Sequence, residues 1–147
     1  MNQSYRIGKA VLVVMGAYHL IVGLSLLFSG ELSLWGARVF GGMMVTGSPE
    51  LGILGEILAC YILAFGAMMI AAAHDPVKNR ACISIGAILC GLRVIQRILF
   101  GGKVIDVFQV NPARYWGHVV VVLVLGCLLA YLRWQIHQET RRTAPAA

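Results

Sequence analysis

Five residues of this 147-residue chain pair reactive or hydrogen-bonding side chains with apolar surroundings: Glu56, Arg93, Gln96, Arg97 and His118. Each lies inside or at the edge of a long hydrophobic run. An ionisable group at the centre of a bilayer costs about 2.5–3.5 kcal/mol even on the lenient insertion scale, so each needs a partner or a purpose. Two guanidinium groups here face one carboxylate. The surplus positive charge suits a ligand rich in acceptors: an anionic lipid head, a quinone oxygen or another oxyanion. Two lesser roles stay open beside ligand contact. Arg97 is near enough to a membrane surface to snorkel, and Glu56 with Arg93 can be an ion pair that orients the fold. General acid–base work by Glu56 is a further alternative.

The other reactive types point away from a free-standing catalyst. His19 sits mid-run between Gly16 and Gly23, beside Tyr18, where a hydrogen-bonded or packing role is expected. His74 and His137 fall near the opposite end, and His118 lies just inside the start of the last run. A bis-histidine haem needs two ligands at one depth on facing helices; His19 at about 15 Å and His118 at about 3 Å from their outer ends do not match. Cys60, Cys82, Cys90 and Cys127 all lie within apolar runs without a C-x-x-C, as reduced packing residues do. There is no H-E-x-x-H, metal-spaced Cys/His pair, nucleotide loop or G-x-S-x-G. A non-catalytic protein without metal or resident cofactor is expected, with a quinone as the one cofactor that the arginine surplus would suit.

The elements that position these residues follow from composition. Hydrophobic residues make up 59% and charged residues 12%, with a mean hydropathy of +0.81, against roughly 45–50% and ~25% in soluble domains. Four stretches, about 10–29, 51–73, 81–100 and 116–134, match the ~20 residues that ~30 Å of hydrocarbon requires. The expected fold is therefore all-α: four transmembrane helices in one antiparallel bundle spanning residues 1–147. Arg6 and Lys9 ahead of Ala10–Phe28 imitate a signal peptide. The run is longer than a 7–15-residue h-region and no A-x-A follows, so a retained span is expected. In the last run Tyr115 and Trp116 at one end and Tyr131 and Trp134 at the other read as aromatic belts. Stretch 30–50 is too polar to span yet keeps Trp35, Phe40, Met43 and Met44, suiting a short interfacial helix. Residues 101–115, with Gly101-Gly102 and Asn111-Pro112, read as an outer loop, and 135–147 as a cytoplasmic tail.

Charge sorts by side. The N-terminus, the turn at 74–80 and the tail hold seven of the twelve Lys and Arg (Arg6, Lys9, Lys78, Arg80, Arg133, Arg141, Arg142). The opposite side holds Arg38, Lys103 and Arg114. The excess of six positive charges is thus a topology signal that places both termini in the cytoplasm, and nucleic acid is not an expected partner. Pro76 stops helix two and lets helices two and three pair antiparallel. On helix two, Gly52, Glu56, Cys60, Ala64, Ala67, Ala71 and His74 share a face; on helix three, Cys82, Gly86, Cys90, Arg93 and Arg97 do so, with Gln96 alongside. Two small-residue faces can approach closely, which predicts a Glu56–Arg93/Arg97 cluster near the outer end of the bundle, joined by His118 from helix four.

Four short spans, an acid in span two and the sequence Arg93-Val94-Ile95-Gln96-Arg97-Ile98-Leu99-Phe100 closing span three resemble the DoxX-like group of small bacterial membrane proteins. The resemblance covers most of the chain. It implies a multi-pass protein of the bacterial inner membrane, in some members a partner of quinone-linked or redox enzymes. The expected function is that of a non-catalytic accessory subunit of a larger membrane complex, such as an electron-transfer assembly, in contact with lipids and with other subunits or copies of itself. The alternative is a small quinone- or anionic-lipid-binding protein using the Glu/Arg site. A transporter is a weaker reading, because no span is broken near its middle by proline.

Overall fold

The computed structural model describes residues 3–28 and 49–143. Within them the chain forms four helices: α1 (Gln3–Phe28), α2 (Pro49–His74), α3 (Arg80–Phe108) and α4 (Pro112–Thr143). All four are long and apolar enough to cross a membrane. Their outer surfaces carry the large hydrophobics, with Ile21, Leu54, Leu99 and Val107 all at least two-thirds exposed. Apolar surface on that scale belongs in lipid. The protein is an all-α, multi-pass membrane protein.

Polar chemistry marks the two ends. At one end Lys9 Nζ donates to the His74 carbonyl at 3.2 Å, a cation meeting the free carbonyls of a helix C-terminus. The turn that follows is closed by side chains. Asp75 Oδ1 accepts from the Lys78 N–H at 3.0 Å, Asn79 Nδ2 donates to the Ala71 and Asp75 carbonyls at 2.9 and 3.0 Å, and Pro76 is buried. Arg133 Nε donates to Ser84 Oγ at 3.2 Å at the same end. The N-terminal part of α1, the α2–α3 turn and the C-terminal part of α4 therefore lie together, as the charge sorting required.

At the other end the helices outlast the expected spans. Residues 101–108 continue α3, and the connection to α4 is only 109–111. Gln109, at φ 47°, ends α3 in the left-handed region with its N–H on the Ile105 carbonyl. Asn111 Oδ1 accepts from the N–H groups of Ala113 (2.9 Å) and Arg114 (3.4 Å) as the N-cap of α4, with Pro112 in the first turn. The expected loop at 101–115 is replaced by helix, cap and helix. Gly101 explains why the glycine pair does not break α3: a Cβ there would meet Tyr115 Cε1 at 3.2 Å, so the glycine makes room for that ring. Tyr115 is accordingly buried, not a belt residue, whereas Trp116, Tyr131 and Trp134 are exposed as expected. Most of the expected tail is helical, through Thr143, and Ile136 is buried in the core. The interfacial helix expected over 30–50 lies outside the described residues except for Pro49 and Glu50, which open α2.

The bundle is built as two tight hairpins, α1 with α2 and α3 with α4, that meet each other more sparsely through α2–α3 and α1–α4. Within the first hairpin the backbones nearly touch: a Cβ on Gly66 would lie 3.0 Å from the Gly16 carbonyl and 2.9 Å from Leu20 Cγ. Within the second, a Cβ on Gly126 would lie 3.0 Å from Cys90 Cβ. Between hairpins, Gly8 receives Leu132 and Gly86 receives Met69, with Leu129 of its own hairpin alongside. These contacts and the fully buried Leu12, Met69, Ile83, Leu129, Leu132 and Ile136 gather in the half of the bundle near the α2–α3 turn. The predicted pairing of the small-residue faces of helices two and three is therefore corrected. Gly52, Glu56, Cys60, Ala64, Ala67, Ala71 and His74 all face outward, and α2 buries Ala59, Gly66, Met69, Ala72 and Ala73 instead. Cys82, Gly86 and Cys90 of α3 do turn inward, mainly onto α4. Close packing went to the glycine pairs because they let backbones approach further than alanine or cysteine can.

Candidate functional site

Where the two hairpins part, a cleft of about 430 Å³ opens between all four helices. It is lined by Met15 and His19 of α1, Tyr61, Ile62 and Phe65 of α2, Leu89, Cys90, Leu92, Arg93 and Gln96 of α3, and Val122 and Leu125 of α4. Each of these groups falls near the middle of its own span: His19 between Lys9 and Phe28, Tyr61 between Pro49 and His74, Arg93 between Arg80 and Lys103, and Val122 between Arg114 and Arg133. The cleft is a midplane site. Arg93 lies ten residues below Lys103, or about 15 Å at 1.5 Å per residue, half the thickness of the hydrocarbon. That is deeper than the outer end of the bundle, where the Glu56–Arg93/Arg97 cluster was expected.

The walls are apolar and the polar groups few. Arg93 and Gln96, one turn-step apart on α3, bring the donors. Arg93 lies within electrostatic range of His19, Cys90, Arg97 and His118. Among the described residues, no carboxylate acts on Arg97 or His118. His19 is fixed in orientation: its Nδ1 is 2.7 Å from the Met15 carbonyl, its ring meets Phe65 edge-on at 4.7 Å, and Tyr18 packs against its other side at 5.2 Å. Since a carbonyl only accepts, Nδ1 must carry the hydrogen.

One layer further out, Arg97 is held by Tyr115. The guanidinium lies over the Tyr115 ring at 5.1 Å from its centroid, and the Tyr115 hydroxyl donates to the Arg97 carbonyl at 2.9 Å. A cation over an aromatic face in a desolvated setting is stabilised by about 2 kcal/mol. Arg97 is thereby given a partner within the fold, whereas Arg93 has none among the described residues.

Of the residues expected to form one site, the structure brings Arg93 and Gln96 into the cleft and sets Arg97 and His118 beside it, within electrostatic reach of Arg93. Glu56 is elsewhere. It is exposed on the outward face of α2, and among the described residues no ion pair or side-chain hydrogen bond joins it to either arginine. The anticipated cluster fails because the glycine contacts with α1 set the rotation of α2 and carry residue 56 away from α3. His19 has the hydrogen-bonded and packing role expected of it, yet it also lines the cleft with Tyr61 and Phe65, which sequence reasoning left out of the site. The signal for His19 was present, a mid-span titratable residue, but its depth was weighed only against the other histidines and not against Arg93.

Comparison with family models, curated proteins and solved structures finds no match for this chain.

Proposed function

We propose that this protein binds a small amphiphile in the midplane cleft between its two hairpins, with Arg93 and Gln96 taking the oxygen-bearing head and the apolar walls taking the rest. The observation that carries this reading is Arg93: a guanidinium at mid-span, turned to a cavity, with no carboxylate partner among the described residues. Such a residue is a functional-site candidate by default, because a fold without use for the charge gains by replacing it. The cleft volume is at the lower end of the ~300–1,000 Å³ typical of small-molecule sites. Quinones and anionic lipids are the two ligand types that the charge suits. Arg97 reinforces the positive potential at the outer side of the cleft, with His118 beside it; Glu56 has no part in it.

The test is mass spectrometry of the small molecules that co-purify with the tagged full-length chain, for the parent and for Arg93→Leu. A quinone or anionic lipid retained by the parent and lost from the variant supports the reading. Identical retention in both overturns it.

A second reading has its own observation. The outward face of α2 carries Gly52, Cys60, Ala64, Ala67 and Ala71 with Glu56 among them, a surface on which another helix could pack closely. This favours an accessory subunit of a larger membrane assembly, in keeping with the DoxX-like resemblance and an inner-membrane location with both termini cytoplasmic. Purification in mild detergent checks it: co-purifying subunits are expected, and a monodisperse species of this chain alone counts against it.

A further inference from the structure

From the polar groups of the cleft we infer what its ligand must carry: a small protic ring, of the phenol or hydroquinone type, whose hydroxyl donates to His19 while an oxygen accepts from Arg93 and Gln96. The inference rests on the binding reading above and narrows it from two ligand types to one.

Three observations lead there. The first is the hydrogen-bond polarity of His19. With Nδ1 committed as donor to the Met15 carbonyl, the neutral ring presents Nε2 as an acceptor. Nε2 has no partner among the described residues, and no buried side-chain nitrogen or oxygen there goes unpaired, so Nε2 is open to the cleft. A ligand that only accepts, such as a phosphodiester or an oxidised quinone, would satisfy Arg93 and Gln96 and leave this acceptor facing another acceptor. A hydroxyl satisfies it.

The second is depth. Lining residues from all four helices place the cleft at mid-span. A charged, hydrated phospholipid head would have to leave the interface and cross about 15 Å of hydrocarbon to reach it. A neutral ring with one or two hydroxyls partitions to that depth far more readily. The third is shape. Phe65, Tyr61 and the His19 ring supply aromatic faces and edges at the same level, which pack best against a planar head, and Leu89, Leu92 and Tyr61 are exposed toward lipid, where an attached chain could leave.

The experiment uses the full chain in phosphatidylcholine nanodiscs under anaerobic conditions, with three probes that share one decyl chain and one ring: the hydroquinone, the corresponding quinone and the hydroquinone dimethyl ether. The parent is expected to bind the hydroquinone about tenfold tighter than the other two, the worth of one hydrogen bond without which a polar group is left unpaired. In His19→Phe the three affinities should converge, and in Arg93→Leu all three should weaken with their ratios kept. Equal binding of the three probes by the parent overturns the inference and leaves the cleft reading standing, and this comparison needs no variant to fold. A hydroquinone preference that survives in His19→Phe also overturns it. If no ring probe binds the parent, the inference is overturned and the cleft is left to an anionic lipid; if Arg93→Leu changes none of the affinities, the binding reading itself fails. Displacement of the hydroquinone by added phosphatidylglycerol at equimolar ratio would reassign the cleft to an anionic lipid.

Discussion

Arg93 and Arg97 have the same side chain and lie one helical turn apart, yet the structure treats them differently. Arg97 rests on the Tyr115 ring, and the Tyr115 hydroxyl locks the α3 backbone beside it. Arg93 points into a cleft with donors and no described acceptor of its own. Removing each should therefore have opposite consequences. Arg93→Leu relieves an uncompensated charge at mid-span and is expected to stabilise the ligand-free protein in detergent by up to about 2.5–3.5 kcal/mol, read as a higher thermal midpoint. A lower midpoint would mean that Arg93 has an internal partner. Tyr115→Phe keeps the ring under Arg97 and deletes only the hydroxyl. It should cost about 0.5–1.5 kcal/mol in the same measurement, and Tyr115→Leu distinctly more because the aromatic face is lost too.

At the scale of elements, glycine decides which helices pair. Gly16 and Gly66 bring α1 and α2 to backbone contact, and that contact fixes how α2 is rotated. Gly66→Ala forces a Cβ against the Gly16 carbonyl and the Leu20 backbone nitrogen, each at 3.0 Å, where backbone has to move. A loss of about 1–3 kcal/mol is expected by chemical unfolding in micelles. Gly91→Ala is the control: a Cβ there meets nothing within 4 Å, so stability should hold or rise by up to about 1 kcal/mol. If the two variants behave alike, the close approach of α1 and α2 is not a determinant of the fold. The same logic governs the α3–α4 connection. Gly101 and Asn111-Pro112 look like loop residues by type, and they serve as a packing notch and a helix start.

The molecule as a whole is two hairpins joined firmly in one half and parted in the middle. Basic residues collect at the joined end, where Lys9 caps α2 and Arg133 reaches Ser84. The positive-inside rule leads us to propose that this end faces the cytoplasm. In a background free of native cysteine, Lys103→Cys should react with a membrane-impermeant maleimide on intact cells, and Lys78→Cys only after permeabilisation. The reverse pattern would invert the topology and put the outer side of the cleft, with Arg97 and His118, toward the cytoplasm.

Hydrophobic composition, the four runs and the proline at residue 76 were enough to establish the number and type of elements and their alternation, because crossing a bilayer demands ~20 apolar residues with every backbone group satisfied inside the segment. The arginines of span three stood out for the same reason: few residues are permitted there. Helix limits at the outer end were harder, since glycine and Asn-Pro have two meanings that only a packing partner separates. The facing of α2 was not legible at all. Small residues lay on both its outward and its inward face, and the choice fell to how near the α1 and α2 backbones come at Gly16 and Gly66. That choice took Glu56 out of the site and left Arg93, Gln96 and His19 to form it, at a depth that became apparent only once all four helices were placed side by side.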